Sequence, residues 1–310
     1  MRVLVTGTSG FIGRALVADL AGRSFDVRPI LREASDPPPG LRPVATEGLE
    51  PAAQGLPKAD VLVHLAAANP VRGDALWQDE AALRRANVDH ALGLARAAAE
   101  AGVRRFVFAS SAAVYPPSGS LPFDEAHPPA PTTAYGRSKL EAEAALGALA
   151  RDLGLGLTIL RLAPVYGIGA RSGMMALARL AARPMPLPFG RARAPRSYLS
   201  LRNAVHGVVT AVTYAGAAGG IYNLADPQPL STAELLTLMR SGLGRAPALV
   251  PVPATLLRGA ALAAGRRADW ERLFAPFVID TQRARDELEW IPPETPQEAV
   301  PAFARAVSRG

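Results

Sequence analysis

The chain opens on an unbroken apolar run, Val3-Leu4-Val5, that ends at Thr6 and enters Gly7-Thr8-Ser9-Gly10-Phe11-Ile12-Gly13. A stretch apolar on both faces suits a central parallel strand. Across residues 14–20 the apolar positions instead recur at helical spacing. The same two patterns then alternate. Strands are expected at 26–31, at 60–66 leading into a small-residue loop, at 105–110 and at 157–162. Helices are expected at 80–102, closed by Gly102, and at 134–153, while Asp36-Pro37-Pro38-Pro39-Gly40 breaks the chain. Alternation of this kind predicts an α/β fold with a doubly wound parallel Rossmann sheet.

Beyond residue 168 the texture changes. Pro184, Pro186 and Pro188 punctuate the chain, residues 190–196 form a basic loop, and the last third is helical and interrupted by prolines. Ile221-Tyr222-Asn223-Leu224 reads as a strand returning to the main sheet. The expected organisation is a dinucleotide-binding domain at 1–168 that 197–225 rejoins. A smaller, discontinuous C-terminal substrate domain would be built from 169–196 and 226–310.

Composition narrows the function classes. With 310 residues, 49% of them apolar, the chain can bury a large core, and without cysteine it has neither disulfides nor thiolate metal sites. That fits a cytoplasmic protein. The net charge is +7, and Lys58 and Lys139 are the two lysines. The arginines are dispersed rather than interleaved with aromatics, so no nucleic-acid surface is expected, whereas an anionic substrate suits them. Residues 203–225 lack charge but include His206 and Asn223. They read as a buried helix followed by a strand, so no membrane role is expected. His90, His127 and His206 show no ligand spacing and no metal is expected. His64 is read as structural and Arg161 as half of an ion pair.

The chemistry is concentrated in two places. Gly7 allows a tight turn, Gly10 a close approach to phosphate and Gly13 close packing of helix on strand, with the helix amino end facing an anion. Tyr135 and Lys139 lie four apart on one helical face, after a strand that ends at Ser110-Ser111. A nearby ammonium is expected to bring the phenol toward its working range, while Ser111 holds a substrate oxygen. This is the equipment for moving a proton beside a hydride transfer.

These motifs resemble the extended short-chain dehydrogenase/reductase family, the NAD-dependent epimerases and dehydratases. The likeness rests on residues 6–13, 60–67, Asn87-Val88, 106–115, 135–139, 160–167, 196–198 and 280–290. It implies catalytic roles for Ser111, Tyr135 and Lys139. It implies a cofactor site made by Gly7, Gly10, Phe11, Ile12, Gly13, Leu65, Ala66, Ala67, Tyr135, Lys139 and Pro164. Asn87 would support the adjoining helix, and Ser111 and Arg196 would meet substrate, Arg196 at the diphosphate of a nucleotide-sugar. Residues 186–190, 196–198 and 264–273 are further similar to bacterial enzymes acting at C4 of UDP-linked 6-deoxy-amino sugars, 4-keto reductases among them.

The resemblance therefore implies an NAD(P)-dependent oxidoreductase acting on a nucleotide-diphosphate sugar, with reduction of a 4-keto sugar foremost. A 4-epimerase holding NAD, an enzyme for another ketone or lactone, and a non-catalytic NADP-binding regulator are the alternatives. Where NAD-binding relatives carry a carboxylate after the second strand, this chain has Leu31 and Arg32. Arg32 could pair with a 2′-phosphate, so NADP is expected over NAD, although a shifted register would let Glu33 take the acidic role. Glu47-Gly48 stands where relatives often contact adenine. The helices at 80–102 and 134–153 could support a homodimer.

Overall fold

The computed structural model describes residues 1–32, 40–47, 50–51, 55–70, 74–120, 122–170, 173–214, 219–265 and 267–309. Glu33, Gly48 and Arg266 lie outside the described residues, as do the side chains of Arg32, Glu47 and Arg267. In chain order the strands are β1 (Arg2–Thr6), β2 (Asp26–Arg32), β3 (Val44–Glu47), β4 (Glu50–Pro51), β5 (Val61–His64), β6 (Arg105–Ser111) and β7 (Gly156–Leu162). A separate short pair follows, β8 (Val165–Tyr166) and β9 (Leu199–Ser200), and then β10 (Gly220–Leu224).

The main sheet has the spatial order β10-β7-β6-β5-β1-β2-β3-β4, parallel throughout except where the edge strand β4 turns back on β3. The order reverses between β1 and β5, and in open parallel sheets a ligand crevice opens at such a reversal, beyond the carboxyl ends of the strands.

Apolar runs become two-faced strands because successive side chains point to opposite faces. Val3, Val5, Val61, Val63 and Val107 enter one buried cluster with Leu16 and Leu20. Leu4, Leu62, Phe106 and Phe108 enter the other with Leu94, Ala98 and Leu146. The first cluster belongs to the face covered by α1 (Phe11–Gly22), the second to the face covered by α2 (Glu80–Arg84), α3 (His90–Glu100) and α4 (Ala134–Leu153). Between α2 and α3 the helix widens into a π turn at Arg85–Asp89, which the sequence pattern does not reveal. Thr133 caps α4 by accepting from the Gly136 N–H at 3.0 Å, and Gly154 ends it in the left-handed conformation.

Beyond β7 come α5 (Gly173–Ala181), α6 (Leu201–Thr213), α7 (Thr232–Gly242), α8 (Ala254–Ala263), α9 (Arg267–Phe274), α10 (Gln282–Leu288) and α11 (Pro296–Arg309). The uncharged stretch 203–225 thus holds most of α6, packed on α1, and β10, paired to β7. A third apolar cluster, with Met174, Leu235, Met239, Val300 and Phe303, joins α5, α7 and α11. Among the described residues no helix is long and apolar enough to cross a membrane.

Candidate active site

At the reversal of strand order, β1 and β5 both run into loops of small residues. Gly7 has φ +72°, a backbone conformation open to glycine. A β-carbon on Gly7 would stand 2.7 Å from the Ala66 nitrogen, and one on Gly13 would stand 2.0 Å from the Gly7 carbonyl oxygen. These are backbone contacts that cannot yield. Gly10 caps α1 without a side-chain hydrogen bond, so the first N–H groups of the helix face a cradle of bare backbone. Leu65 and Ala66 are half-buried, while Gly10, Ala67 and Pro164 are exposed around it. Phe11 directs its ring toward the loop after β8, where a β-carbon on Gly167 would come within 2.9 Å of it, and Ile12 packs against the core. The cradle fits a nucleotide pyrophosphate.

The cradle is supported from below. Thr6 Oγ1 and His64 Nδ1 lie 2.7 Å apart, and the Ala66 N–H donates to Thr6 Oγ1 at 3.3 Å. His64 is buried against Phe108, with ring centroids 5.8 Å apart. Burial, reinforced by His90 and Lys139, holds its pKa well below the usual imidazole value. It is a neutral structural group.

The second chemical cluster assembles as the helical spacing predicts. Ser111 ends β6, its hydroxyl accepts from the Ala113 N–H at 3.1 Å, and it stands near enough to the Tyr135 phenol to bias its ionisation. Tyr135 is half-buried at the start of α4, and Lys139, one turn on, is 1% exposed. The Lys139 ammonium lies 3.9 Å above the centre of the Phe108 ring.

Electrostatics correct one expectation. Burial pushes the Tyr135 phenol up to about 12, with Ser111 acting the other way. Burial also takes Lys139 down to about 7, opposed by Glu143. Desolvation therefore outweighs the expected pull of the ammonium, and Tyr135 stands at neutral pH as a proton donor.

A family model described as the NAD dependent epimerase/dehydratase family matches residues 3–225. The chain belongs to that family. Among curated relatives of this family member, UDP-glucose 4-epimerase of Vibrio cholerae is 32% identical, the match covering 98% of this chain and 94% of the relative. A 3-diazoavenalumate denitrifying reductase from a Streptomyces species is 33% identical over 94% and 96% of the two chains. A crystal structure of UDP-N-acetylglucosamine 4-epimerase from Bacillus cereus superposes with a TM-score of 0.80 at 21% identity, covering both chains entirely. The protein is thus an enzyme that uses a nicotinamide cofactor.

Other residues of this epimerase/dehydratase family chain are placed less simply. Arg196 is buried rather than free: its Nη1 donates to the Ala275 carbonyl at 2.6 Å, and its guanidinium lies over Phe277. Burial lowers its pKa, with Tyr198 opposing. The backbone of Arg32 ends β2 opposite Thr46. The loop at Asp124-Glu125 is tied to β10, because a Glu125 oxygen accepts from the Asn223 N–H at 2.6 Å. Arg161 forms its ion pair with Glu143 at 2.7 Å, both nearly fully buried. Sequence reasoning missed Glu143, although its spacing one turn past Lys139 was a usable signal. A cleft of about 620 Å3 between α1, α6 and α11, lined by Asp19, Arg23, His206 and Phe303, contains none of the three catalytic candidates.

Proposed function

We propose that this enzyme acts at C4 of a UDP-linked sugar and interconverts its two 4-epimers through a 4-keto sugar. The observation that carries the reading is the Ser111–Tyr135–Lys139 cluster beside the bare-backbone cradle. Similarity to a UDP-glucose 4-epimerase along nearly the whole chain favours epimerisation over the net reduction that the sequence motifs put first.

The proposed holding residues are Gly7, Gly10, Phe11, Ile12, Gly13, Leu65, Ala66, Ala67 and Pro164, with Lys139 at the ribose. A nicotinamide nucleotide bound there supplies reversible hydride transfer. Tyr135, having first lost its phenol proton to solvent, takes the proton of the sugar 4-hydroxyl as that carbon is oxidised, is a phenol while the 4-keto sugar is present, and returns that proton to the oxygen when it is reduced again. Ser111 orients that oxygen, and the Lys139 charge favours the phenolate that must stand ready before the proton is taken. Arg196 meets the diphosphate in this reading once it exchanges the Ala275 carbonyl for phosphate oxygens. Residues 169–196 and 226–310 carry the sugar nucleotide, and a homodimer through α3 and α4, testable by sedimentation, belongs to the same proposal.

A second reading, an NADPH-dependent 4-keto reductase, draws on Arg32 standing where a ribose-binding carboxylate would favour NAD. The two are separated by incubating the protein with UDP-glucose and UDP-N-acetylglucosamine, a trace of NAD and no reductant. Appearance of the 4-epimer by NMR supports epimerisation. Stoichiometric NADPH oxidation on a UDP-4-keto sugar instead selects the reductase. Turnover of neither class overturns the nucleotide-sugar reading.

A further inference from the structure

Tyr135 and Lys139 have a third polar residue beneath them at the same spacing. Glu143 lies one turn beyond Lys139 on α4 and is 5% exposed. Its carboxylate accepts from Arg161 Nη2 at 2.7 Å and from Arg161 Nε at 3.1 Å, and it also accepts from the Ser110 hydroxyl. Ser110 immediately precedes Ser111 on β6, and Arg161 is its register partner on β7. One carboxylate therefore ties together the helix of Tyr135, the strand of Ser111 and the neighbouring strand. Arg161 continues the chain to the Tyr115 hydroxyl at 2.9 Å, which lies 2.9 Å from Asn223 Oδ1.

A buried Arg–Glu pair is by itself an ordinary strut. The surroundings of Lys139 argue for more. Under its ammonium lies the Phe108 ring, and stacked on that ring is His64 from β5, with His90 of α3 at 5.4 Å beyond. Tyr135 is a neutral phenol, and Arg161 on β7 is a cation. The histidines can only repel an ammonium when protonated, and Arg161 always does. Glu143 is the carboxylate that acts on Lys139, and it works against the burial that lowers the lysine.

We propose that Glu143 is a positioning residue of the active site: one turn below Lys139 on the same helix, its carboxylate fixes the Ser111 strand to the Tyr135 helix and sets a negative charge beneath the Lys139 side chain. The inference rests on the reading of Lys139 as the partner of Tyr135 and the cofactor ribose. Its test needs no substrate, so it fails or stands separately from that reading.

The chain has two lysines, Lys58 and Lys139, so lysine labelled with 13C at Cε gives two assignable signals, with exposed Lys58 as the internal reference. In the intact protein the Lys139 signal is expected to titrate near pH 7. Glu143→Gln keeps the shape and removes the charge, and should lower that midpoint by at least about half a pH unit. Glu143→Asp keeps the charge and should restore most of the difference. In activity measurements the alkaline limb of the pH profile should move down in Glu143→Gln, where a mere strut would lower kcat without moving it. An unchanged Lys139 midpoint in folded Glu143→Gln overturns the proposal. If that variant does not fold, Ser110→Ala decides. Loss of one donor leaves the carboxylate field less dispersed, and the Lys139 midpoint should rise; no rise overturns the proposal.

Discussion

Asn87 and Ala68 exchange a pair of hydrogen bonds: the Ala68 N–H donates to Asn87 Oδ1 at 2.7 Å, and Asn87 Nδ2 donates back to the Ala68 carbonyl at 3.0 Å. The same Nδ2 donates to the Ser138 hydroxyl at 2.9 Å, so one buried amide joins the loop after β5 to the helix of Tyr135 and Lys139. The π turn at Arg85–Asp89 contains Asn87. π turns recur at functional sites, and here the turn serves one by carrying the joining residue.

Asn87→Ala leaves the Ala68 N–H and carbonyl without their partner. Each such loss costs about 1–3 kcal/mol in a buried place, so a total of roughly 2–6 kcal/mol, toward the lower end because both bonds are part-buried, is expected in urea unfolding. Nucleotide affinity should fall as well, because Leu65, Ala66 and Ala67 precede the released residue. Unchanged affinity would mean that the loop is held by β5 alone.

Tyr135→Phe removes the proton donor and keeps the ring. Turnover should drop by about 10²–10⁴, the usual worth of a positioned acid or base, while the nicotinamide nucleotide Kd changes by no more than about threefold. Fluorescence titration and steady-state kinetics on the same preparation separate the two effects. Turnover that persists at the parent rate would remove Tyr135 from the chemistry.

Much of this architecture is local in the sequence and was legible there. Val3-Leu4-Val5 followed by Gly7, Gly10 and Gly13 specifies strand, cradle and helix within one short segment, and Tyr135 and Lys139 share a helix face by spacing alone. What escaped is what only the folded sheet brings together. Glu143 meets Arg161 across α4 and β7, and Asp226 meets Tyr166 from sixty residues away. Two-residue strands such as β8 and β9 have no period to read. The direction of the Tyr135 shift escaped for a related reason: desolvation depends on everything packed around a group, not on its neighbour four residues along.

Asp226, just after β10, shows the same dependence on burial. Its Oδ1 accepts from the Ser200 N–H at 2.8 Å and from Asn203 Nδ2 at 2.7 Å, and its Oδ2 accepts from the Tyr166 hydroxyl at 2.9 Å. Burial nevertheless raises its pKa to about 6, the hydrogen bonds only partly opposing. The folded state therefore binds a proton more readily than the unfolded chain. This group's contribution falls as pH rises from about 4 to about 6, a cost on the order of 3 kcal/mol at pH 7. Asp226→Asn keeps the acceptor for Ser200 and Asn203 and removes the charge. Urea unfolding should show a gain of about 1–3 kcal/mol for the variant at pH 7.5 and a smaller gain at pH 5. Equal losses at both pH values would show that the charge itself is needed.

The end of β2 bears on which nucleotide the cradle takes. β2 ends at Arg32, and the preceding Leu31 is buried, so no carboxylate stands at the final positions of this strand to bond ribose hydroxyls or repel a 2′-phosphate. A guanidinium there could form charge-assisted hydrogen bonds to that phosphate. On the reductase reading, nucleotide-stripped protein should bind NADPH about tenfold more tightly than NADH, with Arg32→Ala erasing the difference while leaving NADH affinity within about twofold; the epimerase reading proposed above expects NADH to bind the more tightly. Following reduced-nicotinamide fluorescence on both proteins gives the four constants. Erasure of the difference in Arg32→Ala makes Arg32 the phosphate reader and strengthens the reductase reading, since a reductase must exchange its cofactor at every turnover. Tighter NADH binding, above all with nucleotide that co-purifies, removes Arg32 from that role. It would favour an epimerase instead, because the nucleotide that oxidises C4 must stay in place to reduce it again.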